Sequence, residues 1–295
     1  MFIIIHLILN LDYIFNVIDS LSSKLKKGDL VILESTSPIG TTEKIRDAIA
    51  KNRPDLYLAS QYDENNTDIS IAYSPERVMP GNIFEELYGN NRVVGGITKG
   101  CADKVATIYK HFVKGDITLT NSKTAEFVKL GENTYRDINI AIANEFSMMA
   151  HSANLDIQEI LNISNQHPRV NILSPGTGVG GHCLAVDPYF LINSFPNNSL
   201  LTSQARKVNL IKEEFSFLQI KNFINTNKIN NISLFGISYK ADSSDLRESP
   251  SYRLFKKLLE ESNIYINLCE PNITNINLES DQFQLVDLNK AINKG

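Results

Sequence analysis

The sequence predicts an α/β protein, with a parallel sheet covered by helices at each end of the chain and a helical centre that contains one long helix. Three observations carry this. Short apolar runs alternate with amphipathic segments between residues 29 and 113, the rhythm of a parallel sheet with helices on its faces. A single helical pattern then runs from about residue 121 to 153. From residue 231 the strand–helix–strand rhythm returns.

Taken in order, residues 11–27 carry Leu11, Ile14, Phe15, Ile18, Leu21 and Leu25 at helical spacing and end on Lys-Lys-Gly, a normal helix stop. Asp29-LVILES reads as a buried strand, Thr42-EKIRDAIAK as a helix, Ser70-IAYSP and Arg92-VVGGI as strands, and Ala102-DKVATIYKHF as a helix. The pattern TAEFVKLGENTYRDINIAIANEFSMMAHSA predicts the long helix, with Gly131 its weak point; such a helix links domains or meets a partner subunit. Helices follow at Leu200-LTSQARKVN and Glu213-EFSFLQIKNFI. Asn231-ISLFGISYK and Ile264-YINLCEP then read as strands around the helix Tyr252-RLFKKLLEES. The expected domains are 1–117, 118–215 and 216–295.

Composition narrows the function. With 295 residues the chain can bury a full core, and a net charge of −4 offers no basic stripe for nucleic acid or an acidic membrane. Cys101, Cys183 and Cys269 are odd in number and widely spaced, which fits neither a disulfide framework nor metal ligation and points to a reducing cytoplasm. The apolar start MFIIIHLILNLDYIF is too short and too interrupted to span a membrane and reads as a buried strand or helix.

Gly176, Gly178 and Gly181 in Pro175-GTGVGGHCLAVDP spell G-x-G-x-x-G, the turn that binds dinucleotides when it leaves a buried strand and enters a helix. Neither flank fits, because Asn165-QHPRVNILSP is polar and broken by Pro168 and Pro175. What remains is a glycine run that brings backbone close to something and presents His182, Cys183 and Asp187 together.

Cys183 beside such a run is a candidate nucleophile, since a thiolate near a cation attacks well, and Asp187 could handle its proton or a water. Lys129, Asn133 and Asp137 recur at i, i+4 and i+8, so a lysine and an amide one turn apart can donate to a developing oxyanion. Glu34-STSPIGTTEK sets the hydroxyls of Ser35 and Thr36 at the carboxyl edge of a strand, where α/β folds bind ligands. Prolines frame Glu76 and Arg77 in Ser74-PERVMPGN, a rigid loop of functional type. Lys240, Asp242, Asp245 and Arg247 follow a strand and could grip phosphate. Each has a structural alternative: Cys183 as a small buried hydrophobe, Asp187 as a turn residue, the helical triplet as a solvated face, Thr41 or Thr42 as an N-cap, the last cluster as solvated charge.

Five blocks, ESTSPIGTTEK, YSPERVMPGN, KLGENTYRDINIAIANE, HPRVNILSPGTGVGGHCLAVDP and FGISYKADSSDLRESP, resemble in this order the UDP-glucose/GDP-mannose dehydrogenase family of nucleotide-sugar 6-dehydrogenases. The resemblance implies Rossmann-like domains at both ends, NAD as cofactor, a UDP-sugar as substrate, and a homodimer through the central helix. HPRVNILSPG with CLAVDP is most similar to members that oxidise UDP-N-acetyl-D-mannosamine; the UDP-glucose members carry a lysine where this chain has Val186.

By resemblance Cys183 is the nucleophile of a four-electron oxidation through a thiohemiacetal and a thioester. Lys129 and Asn133 stabilise oxyanions, Asp187 handles protons and water, and Glu76 and Thr36 order the hydrolytic water. Arg77, Arg169, Gly180, Gly181 and Lys240 match substrate positions, and Ser35, Thr36 and Arg247 cofactor positions. The family pattern opens with a strand, a true G-x-G-x-x-G turn and an acidic residue about 20 positions on. Here MFIIIHLILN leads straight into later elements and the chain stops at Leu288-NKAINKG, so both end domains are expected to be incomplete. Two readings of different class follow: an active dehydrogenase, completed by a separately encoded N-terminal piece, or an inactive fragment that binds UDP-sugar or a partner; within the enzyme class, UDP-glucose or another UDP-N-acetylhexosamine is the alternative substrate.

Overall fold

The computed structural model describes residues 11–59, 67–78, 82–261 and 263–294. The strand or helix expected at the apolar start lies largely outside them, as do Pro80 and Gly81 of the proline-framed loop. The chain divides into two compact units, Met1–Glu132 with Tyr189–Phe195, and Asn133–Pro188 with Pro196–Gly295.

The first unit contains α1 (Asp12–Ser22), β1 (Leu30–Leu33), α2 (Thr41–Asn52), β2 (Ser70–Tyr73), α3 (Ile83–Gly89), β3 (Arg92–Gly96), α4 (Lys99–Tyr109) and β4 (Ile117–Asn121). Its sheet runs β1-β2-β3-β4, parallel within the outer pairs and antiparallel between β2 and β3 through Ala72↔Gly96 and Tyr73↔Gly95. The antiparallel junction departs from the uniform parallel rhythm of the sequence. Its reason is α3, which buries no residue and so does not cross a sheet face to return the chain to the starting edge.

The crossover helices do bury apolar stripes. α2 buries Ile45 and Ile49, and α4 buries Cys101, Ala102, Val105, Ala106 and Tyr109, against the fully buried strand β2. α1 ends at Ser22, earlier than its apolar pattern, although Leu25 beyond it still packs into the core.

The long helix appears as α5 (Ser122–Ser152), continuous through Gly131, with its first turns in one unit and the remainder in the other. The second unit adds α6 (Ile157–Ser164), α7 (Asp187–Ser194, mostly assigned to the first unit), α8 (Leu200–Asn227), β5 (Asn231–Phe235), α9 (Pro250–Glu261), β6 (Tyr265–Cys269), β7 (Phe283–Leu285) and α10 (Leu288–Lys294). β5-β6-β7 form a parallel sheet. α9 packs Leu254, Phe255, Leu258 and Leu259 on Ile266 and Leu268 of β6 and on Phe217 of α8. A fully buried phenylalanine such as Phe255 contributes about 1.5–3 kcal/mol.

The buried face of α5 is polar at intervals. Glu126, Thr134, Asp137, Asn144 and Ser147 are all buried among Leu130, Ala141 and Ala150. Asp137 therefore does not belong to a solvated face with Lys129 and Asn133. It is fully buried and accepts from Arg206 Nη1 at 2.6 Å and Asn209 Nδ2 at 2.8 Å. The network continues from Asn144 Nδ2 to Asn209 Oδ1 at 2.9 Å, and the Gly176 amide donates to Asn144 Oδ1 at 2.9 Å. A helix–helix pair thus holds the start of the glycine run.

Candidate functional site

In the first unit the turns after β1 and β2 are tied together where a parallel pair of strands ends. The Ser74 amide donates to Leu33 C=O at 2.9 Å and the Glu76 amide to Glu34 C=O at 3.3 Å. Ser35 is exposed and Thr36 half-buried on the first turn. Glu76 folds its carboxylate over the second, Oε1 accepting from the Arg77 and Val78 amides at 2.7 and 2.8 Å. Arg77 pairs with Glu132 of α5, and burial together with the neighbouring Arg92 charge holds its guanidinium below its usual range. Lys129 Nζ donates to Glu76 C=O at 2.9 Å. Ser35, Thr36, Glu76, Arg77 and Lys129 thus stand on two adjoining turns and the helix above them.

Glu126, one turn before Lys129, carried no weight in the sequence reading. Its carboxylate accepts from the Gly40 amide at 2.5 Å, the Thr42 amide at 2.8 Å and Thr42 Oγ1 at 2.6 Å. The helix α2 is therefore capped by Gly40 in the left-handed region (φ +88°) and a remote carboxylate, and not by a hydroxyl of Thr41 or Thr42. Thr41 Oγ1 donates instead to Pro38 C=O at 2.7 Å. The available signal was an acidic residue on the buried stripe of an amphipathic helix.

In the second unit the residues before Gly176 form no strand, so the glycine run is not a strand-to-helix phosphate turn. It leads into a helical turn whose first carbonyl is that of Cys183, which accepts from the Val186 amide at 3.0 Å and the Asp187 amide at 2.8 Å. The cysteine is half-buried, whereas Cys101 and Cys269 are buried. Asp187, 3% exposed, accepts from Asn133 Nδ2 at 2.5 Å, so the amide of α5 and the carboxylate four residues past the cysteine are in direct contact.

Lys240 and Arg247 lie on the loop between β5 and α9, and the Gly181 amide donates to Arg247 C=O at 3.3 Å. Glu270, also missed by sequence, fixes the start of that loop by accepting from the Ile237 and Ser238 amides at 2.8 and 3.0 Å. Arg247 binds Asp245 through Nε and Nη2 at 2.6–3.0 Å. The hydrogen bond from Arg247 pushes the Asp245 carboxyl down to about 2. A depressed carboxyl stabilises the fold above its unfolded value of 3.8 and loses that contribution as pH falls through about 2. The Asp245 carboxylate is thus expected to titrate by carbon-13 NMR near pH 2 in the parent and nearer 3.8 in Arg247→Gln. Arg169 lies apart from these groups in sequence, exposed on the turn after α6, its amide donating to His167 Nδ1 at 3.3 Å.

Two α/β units, each presenting polar groups where parallel strands end, define a nucleotide-binding class of protein. Residues 7–113 match the NAD binding domain of the UDP-glucose/GDP-mannose dehydrogenase family, 123–211 its central domain and 233–294 its UDP binding domain. The chain belongs to this family, whose members are NAD-dependent nucleotide-sugar dehydrogenases.

The chain is 44% identical over 288 residues to UDP-N-acetyl-D-mannosamine dehydrogenase of Campylobacter jejuni, covering 97% of this chain and 70% of that protein. The enzyme of that name from Escherichia coli K12 is 42% identical over 90% of this chain and 64% of its own length. NDP-N-acetyl-D-galactosaminuronic acid dehydrogenase of Ralstonia solanacearum is 39% identical over 97% and 67%. The solved structure of the UDP-D-ManNAc dehydrogenase of Pyrococcus horikoshii superposes with a TM-score of 0.83 at 34% identity, covering 96% of this chain and 65% of that one. The chain thus spans about two thirds of the length of these relatives.

The first unit offers NAD some of the groups it needs. The α2 N-terminus, the natural anion site of the β1–α2 turn, is filled by Glu126, so a cofactor phosphate has no place there. Ser35 and Thr36, exposed and half-buried, place hydroxyls on the same turn at the carboxyl edge of β1. Among the described residues no helix is long and apolar enough to cross a membrane.

Proposed function

We propose that the chain serves the NAD-dependent oxidation of UDP-N-acetyl-D-mannosamine at C6 to the uronate, with Cys183 as nucleophile. The contact between Asn133 and Asp187, with the Asp187 amide folded onto the Cys183 carbonyl, carries this reading, because it groups an amide donor, a buried carboxylate and a half-buried thiol. Two molecules of NAD, bound in turn, would each take up one hydride, the first as the C6 hydroxymethyl loses its hydroxyl proton and becomes the aldehyde; Ser35 and Thr36 would contact the cofactor, with Arg247 towards its phosphates.

The residues account for the remaining steps. Cys183 Sγ adds to the C6 aldehyde, its proton passing to the former carbonyl oxygen, to give a thiohemiacetal; loss of the C6 hydride and the hydroxyl proton leaves a thioester. Water then forms the new C6–O bond, the C–S bond breaks, and a proton returns to sulfur as the uronate leaves. Lys129 and Asn133 donate to the oxygen as negative charge gathers on it, in a setting where such donors are worth several kcal/mol. Asp187 accepts the displaced proton, and Glu76 with Thr36 orders the water. Arg77, Arg169, Gly180, Gly181 and Lys240 hold the nucleotide sugar.

The names of the Campylobacter and Escherichia relatives support the mannosamine substrate, and the Ralstonia relative favours a UDP-N-acetylhexosamine of the galacto series as the second reading. A homodimer is part of the proposal, supported by exposed Tyr135, Ile142, Phe146 and Met149 on α5, and so is a cytoplasmic setting, where NAD is available. The test is NADH formation by the purified chain with each UDP-sugar. Two NADH per sugar, abolished in Cys183→Ala, is the expected result; turnover that survives Cys183→Ala would sink the covalent mechanism. Folded protein without turnover would reduce the chain to a binding fragment.

A further inference from the structure

The loop after β5 sets an aromatic ring against the glycine run, beside the hydrogen bond from the Gly181 amide to Arg247 C=O. A Cβ on Gly181 would lie 2.9 and 3.0 Å from Tyr239 Cε2 and Cδ2, and one on Gly180 would lie 2.9 Å from Tyr239 Cβ and 2.7 Å from Pro250 Cδ. The ring therefore rests directly on Gly181 Cα, a fit that only glycine allows, and Gly181 is held in the left-handed region at φ +86°.

The loop itself is held from several sides. The Tyr239 amide donates to Asp245 C=O at 3.2 Å, and Ser249 Oγ donates to Ile237 C=O at 2.6 Å. Arg253 Nη1 donates to Glu248 at 2.9 Å, where Glu248 has a positive φ of 50°. A backbone strained in this way persists only where its surroundings over-determine it. Two residues beyond the ring's seat stands Cys183, and one residue beyond Tyr239 stands Lys240.

We propose that Tyr239 is the positioning residue for Cys183: its ring clamps the Gly181 backbone to the β5–α9 loop and so fixes where the thiol sits relative to that loop. The idea rests on Cys183 being the reactive group of the proposed function, but it concerns thiol presentation and needs no turnover. A segment that loses one of its contacts with a neighbouring loop opens more often, and a half-buried thiol then meets reagent faster.

The experiment is carbamidomethylation of the full chain by iodoacetamide, read cysteine by cysteine by mass spectrometry. Cys101 and Cys269, 0% and 4% exposed, report general loosening of the two units. In Tyr239→Ala the Cys183 rate should rise about fivefold or more while Cys269 stays at the parental rate, and Tyr239→Phe, which keeps the ring, should restore the parental Cys183 rate to within about twofold. Gly181→Ala, whose methyl displaces the ring and strains a backbone held at positive φ, should raise the Cys183 rate as well.

An unchanged Cys183 rate in Tyr239→Ala overturns the proposal, and so does a parallel rise of Cys269, which would make the ring a general support of the fold. Should Tyr239→Ala fail to fold, Tyr239→Leu is read by the same two criteria. Absence of NADH formation would count against the proposed function and leave this result intact.

Discussion

Arg206→Met should cost the second unit about 3–5 kcal/mol, read as a lower urea midpoint by circular dichroism. Arg206 and Asp137 have side chains 6% and 0% exposed and meet at 2.6 Å. Burial pushes the Asp137 carboxyl up, and the charge and hydrogen bond of Arg206 pull it back. Removing the guanidinium leaves burial unopposed except by Asn209, so the carboxylate must either stay charged without its partner or take up a proton. The double variant Asp137→Leu with Arg206→Met should recover part of the loss, because no lone charge remains. Since Asn209 and Asn144 link this pair to the Gly176 amide, Arg206→Met should also loosen the glycine run, visible as faster amide exchange there. A single variant as stable as the parent would mean that the pair is replaceable by apolar packing.

That network also marks where the sequence stops being readable. α5 was legible along its whole length because a 31-residue pattern averages out one glycine. α8 reads as two helices because the charged run Lys212–Glu214 interrupts the apolar rhythm, yet no glycine or proline breaks the backbone, and it forms one helix from Leu200 to Asn227. β7 and α10, of 3 and 7 residues, are too short for a period to emerge. The antiparallel β2–β3 junction follows from an unburied α3, a tertiary fact.

Cys183, Asn133 and Asp187 stand out in the sequence by residue type and setting, and the side chains of Asn133 and Asp187 touch. The solvated-face alternative fails for Asp137, and Glu126 and Arg206 do not stand out in the sequence, for one reason. Spacing tells which way a side chain points, but a partner 69 or 84 residues away decides whether a charge there is solvated or buried.

Glu126→Ala is expected to destabilise the first unit by about 2–4 kcal/mol, because it strips the acceptor from two amides and a hydroxyl at a buried helix start. Glu126→Gln should cost roughly half as much: one oxygen survives, but the new amide group points a donor at donors already present. The pH dependence separates electrostatics from shape. Burial raises the Glu126 carboxyl above its ordinary 4.5, against the pull of Thr42 and Gly40. A raised folded value means that the folded chain holds the proton more tightly, so this contribution is complete below 4.5 and is lost as pH rises through the folded value.

Protonated, Glu126 can still accept from both amides while donating to Thr42 Oγ1, which makes that state tolerable in the pocket. The parent should therefore lose stability with rising pH across this window, and Glu126→Gln, which cannot titrate, should flatten the curve. A parent whose stability instead climbs over the same range would show that the three donors outweigh burial. Either way, Lys129 rides one turn beyond Glu126 on the same helix, so a loosened α2–α5 latch should also weaken the Lys129 contact with the Glu76 carbonyl.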